Sequence, residues 1–234
     1  MLKIRVFRAI NDIESCQRFA EGHANVLRDY GVTKVTSAKT DWFHNPGVYV
    51  VLVEDEESGE VVGGERIHLV HPGYPLPIQE AISVVETKIH ELVDSYADGK
   101  ITGELCGLWN AKAIAGRGVS ILLTKMGVSI AKKIGMDSLF VLCAPYTVQM
   151  CQNTGFEIET SIGNEGKFIY PKLDLIATAL VVKNLHNIPM SAAFYDEIIY
   201  FYDVPISSIS VLGEKGKTEI QYNITIPKLN NKYE

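Results

Sequence analysis

Residues 104–110 read Glu-Leu-Cys-Gly-Leu-Trp-Asn, and residues 116–120 read Gly-Arg-Gly-Val-Ser. The first segment is apolar between its polar ends, which is typical of a buried strand, and the second precedes an apolar run at helical spacing over 122–134. A strand, a glycine turn and a helix in this order point backbone N–H groups at an anion, because glycine places no Cβ in the way. The pattern predicts an anion site at 116–120, and the alternative is a plain turn before a helix.

Two nucleotide-binding motifs do not fit this turn. The dinucleotide fingerprint requires a third glycine at position 121, which is occupied by Ile121. The P-loop requires Gly-Lys-Ser/Thr, whereas Gly118 is followed by Val119 and Ser120. Neither motif therefore supports a nucleotide site at this turn.

On both sides of this segment, strand-like and helix-like stretches alternate. Strands are predicted over 2–6, 48–53, 61–70, 104–109, 138–143, 157–161, 167–170 and 175–182, and helices over 13–30, 78–96 and 122–134, with a short one from Pro145. The order predicts an α/β (α+β) fold in which a mixed sheet carries helices on its faces.

An aromatic segment follows Asn187. It contains a predicted helix over 192–202 and a predicted hairpin around the turn 213–216. Its five aromatic residues between 194 and 202 are too many for a free tail. We therefore expect a core domain over 1–186 and a C-terminal extension over 187–234 that packs on the core or on a dimer partner.

Composition limits the partners and the compartment. The 234 residues include 22 basic and 28 acidic side chains, and the formal charge of −6 argues against nucleic acid as the main partner. No apolar run approaches the roughly 20 residues of a membrane span, and the first residues lack a secretory core. The four cysteines show no disulfide framework, and the six histidines show no metal-ligand spacing and are expected at the surface or on helix faces. We expect a soluble, cytoplasmic protein with no metal.

The stretch Ala115–Ser120 resembles the Gln/Arg-x-x-Gly-x-Gly/Ala motif of the GNAT superfamily of N-acyltransferases. Gly118 matches the middle glycine, while Ala115 and Ser120 replace the first and last motif residues. Asn153-Thr154-Gly155-Phe156 is similar to the family's junction before a terminal hairpin, and the element order over 2–182 is similar to its fold. The resemblance implies a mostly antiparallel GNAT-like sheet and an acyl donor that is acyl-CoA or acyl carrier protein.

The resemblance also implies a donor site. The strand end at Leu108, Trp109 and Asn110 is expected to pair with the pantetheine amides. The pyrophosphate, or the phosphopantetheine phosphate of a carrier protein, is expected on the N–H groups of Arg117, Gly118, Val119 and Ser120.

Two residues are expected to take part in the chemistry. Glu104 is the only acid on its apolar strand, and burial raises a carboxyl pKa toward the range of a general base. The alternative for Glu104 is a strand-edge residue that faces solvent. Cys151 occupies the position of the tyrosine with which many family members protonate the leaving thiolate, and its alternative is inert packing.

A second resemblance is to the acyl-homoserine-lactone synthases and N-acyl amino acid synthases, a GNAT branch that takes long acyl groups. Asp41-Trp42-Phe43 is similar to an acidic-aromatic patch of the first of these families, and residues 63–67 to its Gly-x-x-Arg stretch. Asp41 and Arg66 are therefore expected to bind substrate, with Arg66 beside a substrate or phosphopantetheine anion or, alternatively, as a solvated strand residue. Gly107 stands where that family has an arginine, which argues against a homoserine lactone product.

Together these features predict an N-acyltransferase that moves an acyl group from acyl-CoA or acyl carrier protein to a primary amine, with an amino acid among the candidate acceptors. The alternative is a non-catalytic ligand-binding or regulatory module with the same fold. A third possibility is an assembly role, in which the extension after Asn187 forms a homodimer.

Overall fold

The computed structural model describes residues 1–29, 40–170, 175–189 and 191–229. Its strands are β1 (Leu2–Arg8), β2 (Val48–Asp55), β3 (Val61–Leu69), β4 (Thr102–Asn110), β5 (Ser138–Cys143), β6 (Glu157–Ile158), β7 (Lys167–Tyr170), β8 (Leu175–Val182), β9 (Ile206–Gly213) and β10 (Gly216–Asn223). Its α-helices are α1 (Ile13–Asp29), α2 (Pro77–Ile82), α3 (Ile89–Ala97), α4 (Val119–Ile134), α5 (Val148–Gln152) and α6 (Tyr195–Asp203).

The described strands form one sheet in the order β6-β8-β5-β4-β3-β2-β1-β10-β9, and β7 also pairs with β8. Two neighbouring pairs, β4–β5 and β1–β10, are parallel, and the other pairs are antiparallel. This confirms the predicted mixed, mostly antiparallel sheet flanked by helices.

Both faces of the sheet are covered, which explains why its central strands are apolar. Residues 48–53 of β2 are all buried, because alternate side chains point to opposite faces and each face meets helices. The odd-numbered residues of this run pack in the cluster under α4 and α6, and the even-numbered ones pack against α1. On the α1 face, α2 and α3 cover β5 and β8.

The two parallel central strands separate soon after they meet. β4 and β5 pair only over residues 102–104 and 138–140, although β4 continues to Asn110 and β5 to Cys143. Glu104 and Phe140 form the last pair. The cleft between β4 and β5 therefore begins at Glu104.

The predicted helix over 78–96 is wrong as a single element, because the structure divides it into α2 and α3. Between them, Val84 and Val85 are 82% and 53% exposed. The β-branched residues Val84, Val85 and Thr87 lower the helix propensity of this segment, and no neighbour buries the two valines to compensate. The predicted end of the first helix, at Tyr30 and Gly31, lies outside the described residues.

The C-terminal segment continues the same sheet. β10 pairs with β1, with Leu2 opposite Ile220, and β9 pairs with β10. Phe201 of α6 is buried in the cluster that contains the α4 side chains. The division of the chain at residue 187 stays a prediction. Among the described helices, none has both the length and the apolar character that a membrane crossing requires.

Candidate active site

β4 changes direction just beyond Glu104. Against β3, Cys106 pairs with Arg66 and Trp109 pairs with Gly64, so Gly107 and Leu108 together face a single β3 residue, Glu65. Gly107 adopts a φ of 60°, which a residue with a side chain rarely does. Such a β-bulge bends the strand and re-aims its side chains, which separates the end of β4 from β5.

Glu104 is buried on the face that carries α1, α2 and α3. Only 2% of it is exposed, and its Oε2 accepts a hydrogen bond of 2.6 Å from the backbone N–H of Ile78 in the first turn of α2. Burial raises the pKa of Glu104 to about 8, although the Ile78 amide and the charge of Arg66 act in the opposite direction. The solvent-facing alternative for Glu104 is therefore wrong.

Arg66 lies on the same face, and it is buried rather than solvated. It is 3% exposed, and its Cζ lies 4.4 Å from the centroid of the Trp42 ring. Arg66 is diagonal to Glu104 across the β3–β4 ladder, because Glu104 pairs with His68 two residues further along β3; such neighbours lie about 7–8 Å apart. Within the described residues, the Nε atom of Arg66 has no hydrogen-bond partner.

Two further buried nitrogens on this face lack partners in the described part of the chain, Nε1 of Trp42 and Nε2 of His68. The rings of Trp42 and His68 lie 6.4 Å apart between centroids. Burial and the nearby charge of Arg66 hold the pKa of His68 well below its usual value, so the ring is neutral. The expectation that the histidines lie at the surface or on helix faces is wrong for His68, which is buried in a strand.

Unpartnered buried nitrogens are unusual in folded proteins, since desolvation of each is costly. The Arg66 guanidinium, the Trp42 N–H and the neutral His68 ring therefore form a polar group on one face that is suited to a small polar ligand. Asp41, by contrast, is exposed at the start of the short 3₁₀ helix Asp41–His44, and its neighbour Trp42 takes the place beside Arg66.

The glycine turn leads into α4 as expected, but part of its amide group is already engaged. Gly118 is the N-cap, with a φ of 79°, and Val119 is buried. The Arg117 N–H donates to the Ile114 carbonyl at 3.2 Å. The side-chain amide of Asn110 forms a 2.6 Å hydrogen bond with the Ser120 hydroxyl, and in the amide orientation that satisfies both of its polar atoms its oxygen also accepts from the Ser120 N–H at 3.2 Å. Among the described residues, an acceptor is found for the N–H groups of Arg117 and Ser120 but not for those of Gly118 and Val119.

The C-terminal hairpin packs against this turn. The Lys215 N–H donates to the Gly116 carbonyl at 3.0 Å, and a Cβ at Gly118 would lie 2.7 Å from Cγ1 of Val211. A Cβ at Gly213 would overlap the carbonyl groups of Gly116 and Arg117. The extension therefore forms one wall of the turn that the resemblance assigns to the donor phosphates.

Gly213→Val is expected to destabilise the protein by about 1–3 kcal/mol, because its side chain must displace backbone atoms of the turn. Urea denaturation of the two proteins measures the difference. Leu212→Ala at the neighbouring position is the control, since Leu212 is 81% exposed and its truncation is expected to change little. Equal stability of Gly213→Val and wild type would contradict this packing.

The remaining predicted residues lie on or near the cleft. Trp109 is buried with its ring against Phe19, 5.8 Å between centroids, and Leu108 is half-buried beside it. Cys151 is buried in α5, and its Sγ lies 3.3 Å from Sγ of Cys143. Hydrogen bonding to Cys143 and burial raise the pKa of Cys151. Its role as a proton donor stays a prediction.

Three features of the site were not expected. Glu65 is fully buried, and neither of its carboxylate oxygens has a partner within the described residues. Cys143 lies in contact with Cys151, and Trp42 stacks on Arg66. The pattern of β3 contained a partial signal for Glu65, because a charged residue within an apolar strand is buried where both faces of the sheet are covered, which the pattern of one strand does not report. In the described part of the chain, no three His, Cys, Asp or Glu side chains converge to hold a metal ion.

No protein-family model matches the sequence, and no curated protein matches it. Several solved structures share its fold. FeeM, an N-acyl amino acid synthase from uncultured soil microbes, aligns with a TM-score of 0.61 at 15% identity over 84% of this chain and 98% of its own. BjaI, a CoA-dependent acyl-homoserine lactone synthase, aligns with a TM-score of 0.54 at 13% identity over 98% of this chain and 96% of its own.

An acyl-CoA N-acyltransferase from Pseudomonas aeruginosa aligns with a TM-score of 0.54 at 10% identity, over 77% of this chain and 99% of its own. The chain has the GNAT fold. At these identities the likeness concerns the fold alone. The roles of Glu104, Cys151 and the residues of the turn therefore stay predictions. They are supported by the burial, distances and hydrogen bonds of these residues.

Proposed function

We propose that the chain is an N-acyltransferase that moves an acyl group from a phosphopantetheine thioester, on CoA or on acyl carrier protein, to the primary amine of an amino acid. The observation that carries this proposal is a pair on one face of the sheet. Glu104 is a buried carboxyl with a raised pKa where β4 and β5 begin to separate, and the buried Arg66, whose Nε has no hydrogen-bond partner among the described residues, lies diagonally across the ladder from it.

The proposed chemistry assigns the base to Glu104. Its carboxylate takes a proton from the acceptor ammonium, directly or through a water, and the free amine attacks the thioester carbonyl. The C–N bond forms, the nitrogen of the adduct gives its extra proton to water, the C–S bond breaks, and the thiolate leaves with a proton from Cys151, which water then reprotonates, or directly from water. A carboxyl with a pKa of about 8 suits this task, because general bases work best when their pKa is near the working pH.

Arg66 is proposed to bind the acceptor's carboxylate. A guanidinium and a carboxylate form strong, charge-assisted hydrogen bonds, and the N–H of Trp42, whose ring packs on the guanidinium, has no partner among the described residues and is a further donor. The acceptor's carboxylate at Arg66 and its amine at Glu104 would span the diagonal of the β3–β4 ladder.

The donor is proposed to bind at the other end of β4. The N–H groups of Gly118 and Val119 at the start of α4, together with the exposed side chain of Arg117, suit a phosphate. CoA and acyl carrier protein both present phosphopantetheine, so both are tested as donors.

Thiol release from acyl-CoA and from acyl carrier protein, measured over a panel of amino acids and simple amines, tests the proposal. Turnover that requires an amine acceptor and is lost in Glu104→Gln supports it. Binding of acyl-CoA by calorimetry without turnover on any acceptor would favour the alternative, a ligand-binding or regulatory module.

Arg66→Gln is expected to raise the KM for an amino acid acceptor about 10–100-fold, since a hydrogen bond to a charged group contributes about 1.5–3 kcal/mol. The same variant should show a much smaller change with the decarboxylated analogue of that amino acid, because that amine has no carboxylate; loss of the Arg66 charge, which lowers the pKa of Glu104, affects both acceptors alike. Among the described residues Arg66 contacts the rings of Trp42 and Phe19 and no carboxylate lies within ion-pair distance of it, so the substitution leaves no described charge without its partner and the fold should tolerate it.

The control for Arg66→Gln is Arg28→Gln, which changes an exposed arginine at the end of α1. An Arg66→Gln enzyme that loses activity equally on both acceptors would contradict carboxylate binding.

A cytoplasmic location and a homodimer stay predictions. Size-exclusion chromatography of the full chain tests the dimer.

A further inference from the structure

Two buried thiols lie in contact where β5 ends. Cys143 is the last residue of β5, Cys151 belongs to α5, and each is 3% exposed. Their Sγ atoms are 3.3 Å apart, and the residues are eight positions apart in sequence. A disulfide has a sulfur–sulfur distance of about 2 Å, so the two sulfurs need to approach by only about 1 Å to form one.

The two thiols differ in acidity. A hydrogen bond from the Cys151 thiol lowers the pKa of Cys143, against the effect of burial, and the Thr147 side chain lowers it further. The same hydrogen bond and burial raise the pKa of Cys151. With the Cys151 thiol as the donor of this 3.3 Å hydrogen bond, Cys143 is the readier of the two to ionise, and it is assigned the attack and Cys151 the resolving role.

The segment between the two cysteines is short and partly exposed. It contains a 3₁₀ turn over Pro145–Thr147, in which Tyr146 is 87% exposed, and it continues into α5, which has five residues. The other two cysteines provide an internal contrast, because burial raises the pKa of Cys16 and of Cys106 to about 12.

We propose that Cys143 and Cys151 form a reversible oxidation site at which a hydroperoxide produces an intramolecular disulfide. The Cys143 thiolate attacks the peroxide oxygen, the O–O bond breaks, and Cys143 becomes a sulfenic acid while the peroxide leaves as an alcohol or water. The Cys151 sulfur then attacks the sulfenic sulfur, the S–O bond breaks, and water leaves with the Cys151 proton. The cysteine pair loses two electrons and the peroxide gains them.

Formation of the disulfide does not depend on the proposed acyl transfer, but the two reactions share Cys151. Cys151 in a disulfide has no proton to donate to a leaving thiolate. If Cys151 acts as that donor, oxidation should slow thiol release, and dithiothreitol should restore it.

The test exposes the full wild-type chain to hydrogen peroxide, alkylates the remaining thiols after denaturation and maps the products by mass spectrometry. Chymotrypsin cuts after Tyr146, between the two cysteines, so a disulfide holds two peptides together until it is reduced. The expected result is this linked pair, with Cys16 and Cys106 still alkylated. Two free thiols at 143 and 151, or oxidation that begins at Cys106, would overturn the proposal.

Single variants assign the two roles. Cys151→Ser should stop at a sulfenic acid on Cys143 that dimedone labels, whereas Cys143→Ser should leave Cys151 unlabelled. Cys106→Ser is the matched control and should form the disulfide as wild type does. The wild-type map requires no variant, so a variant that fails to fold leaves the test intact. Dimedone labelling of Cys151 in Cys143→Ser would overturn the assignment of Cys143 as the attacking thiol.

Discussion

Glu104→Gln is expected to lower the rate of acyl-CoA-dependent thiol release by about 10²–10⁴-fold, the usual contribution of a positioned general base. The glutamine oxygen can still accept the hydrogen bond that the Ile78 N–H gives to Glu104 in the wild type. The side chain keeps its size and its partner and loses only the ability to take a proton. Steady-state kinetics on the best amino acid acceptor measures the effect.

The pH profile separates this role from a structural one. Burial raises the pKa of Glu104 to about 8, so most of the carboxyl is protonated at pH 7 and the active carboxylate form increases as the pH rises. The wild-type kcat/KM should therefore increase through about pH 8, and the residual activity of Glu104→Gln should lack that step. Glu91→Gln, on the exposed side of α3, is the matched control and should keep the wild-type profile. A Glu104→Gln enzyme with wild-type activity would exclude Glu104 as the base.

The strands of the sheet could be predicted because each is marked by an apolar pattern within its own few residues. Residues 48–53, for example, are continuously apolar. The structure has the predicted bounds for three strands, at 138–143, 167–170 and 175–182. The burial of Glu104 could be predicted from the sequence for the same reason. An acid on an otherwise apolar strand is a candidate for burial, because a strand whose two faces are both covered contains few polar residues.

The sequence did not allow the burial of Arg66 to be predicted in this way. Alternation along β3 places Arg66 on one face of the sheet. Whether that face is exposed to solvent at Arg66 depends on the position of Trp42, 24 residues earlier in the sequence. The contact between Gly213 and the turn at Gly116 joins segments almost 100 residues apart. The bulge at Gly107 depends on the register between two strands, which apolar periodicity does not report.

Glu65→Gln is expected to make the protein more stable than wild type at pH 7 and to lose most of that advantage near pH 5. Glu65 is 0% exposed, and both of its oxygens lack partners within the described residues. Oε1 points at α4, where a Cβ at Gly127 would lie only 2.6 Å away. Burial therefore raises the pKa of Glu65 well above its usual value in the folded protein.

The direction in which the stability difference changes with pH follows from proton binding by Glu65. Between the pKa of an unfolded glutamate, about 4.3, and the higher folded value, the unfolded chain releases a proton that the folded protein retains. Folding stability contributed by Glu65 is thus present below about pH 4 and is lost as the pH rises, by roughly 1 kcal/mol for each pH unit. Glutamine does not titrate, so the difference between the two proteins should grow as the pH rises from 5 to 7.

Urea denaturation at pH 5, 6 and 7 measures this difference, and Glu104 cancels because its contribution is the same in both proteins. Glu60→Gln, at an exposed position, should run parallel to wild type at all three pH values. Parallel curves for wild type and Glu65→Gln would mean that Glu65 is ionised in the folded protein. A buried carboxylate requires compensation by hydrogen bonds or a cation, so that outcome would place a bound water or cation at oxygens that have no partner among the described side chains and backbone groups.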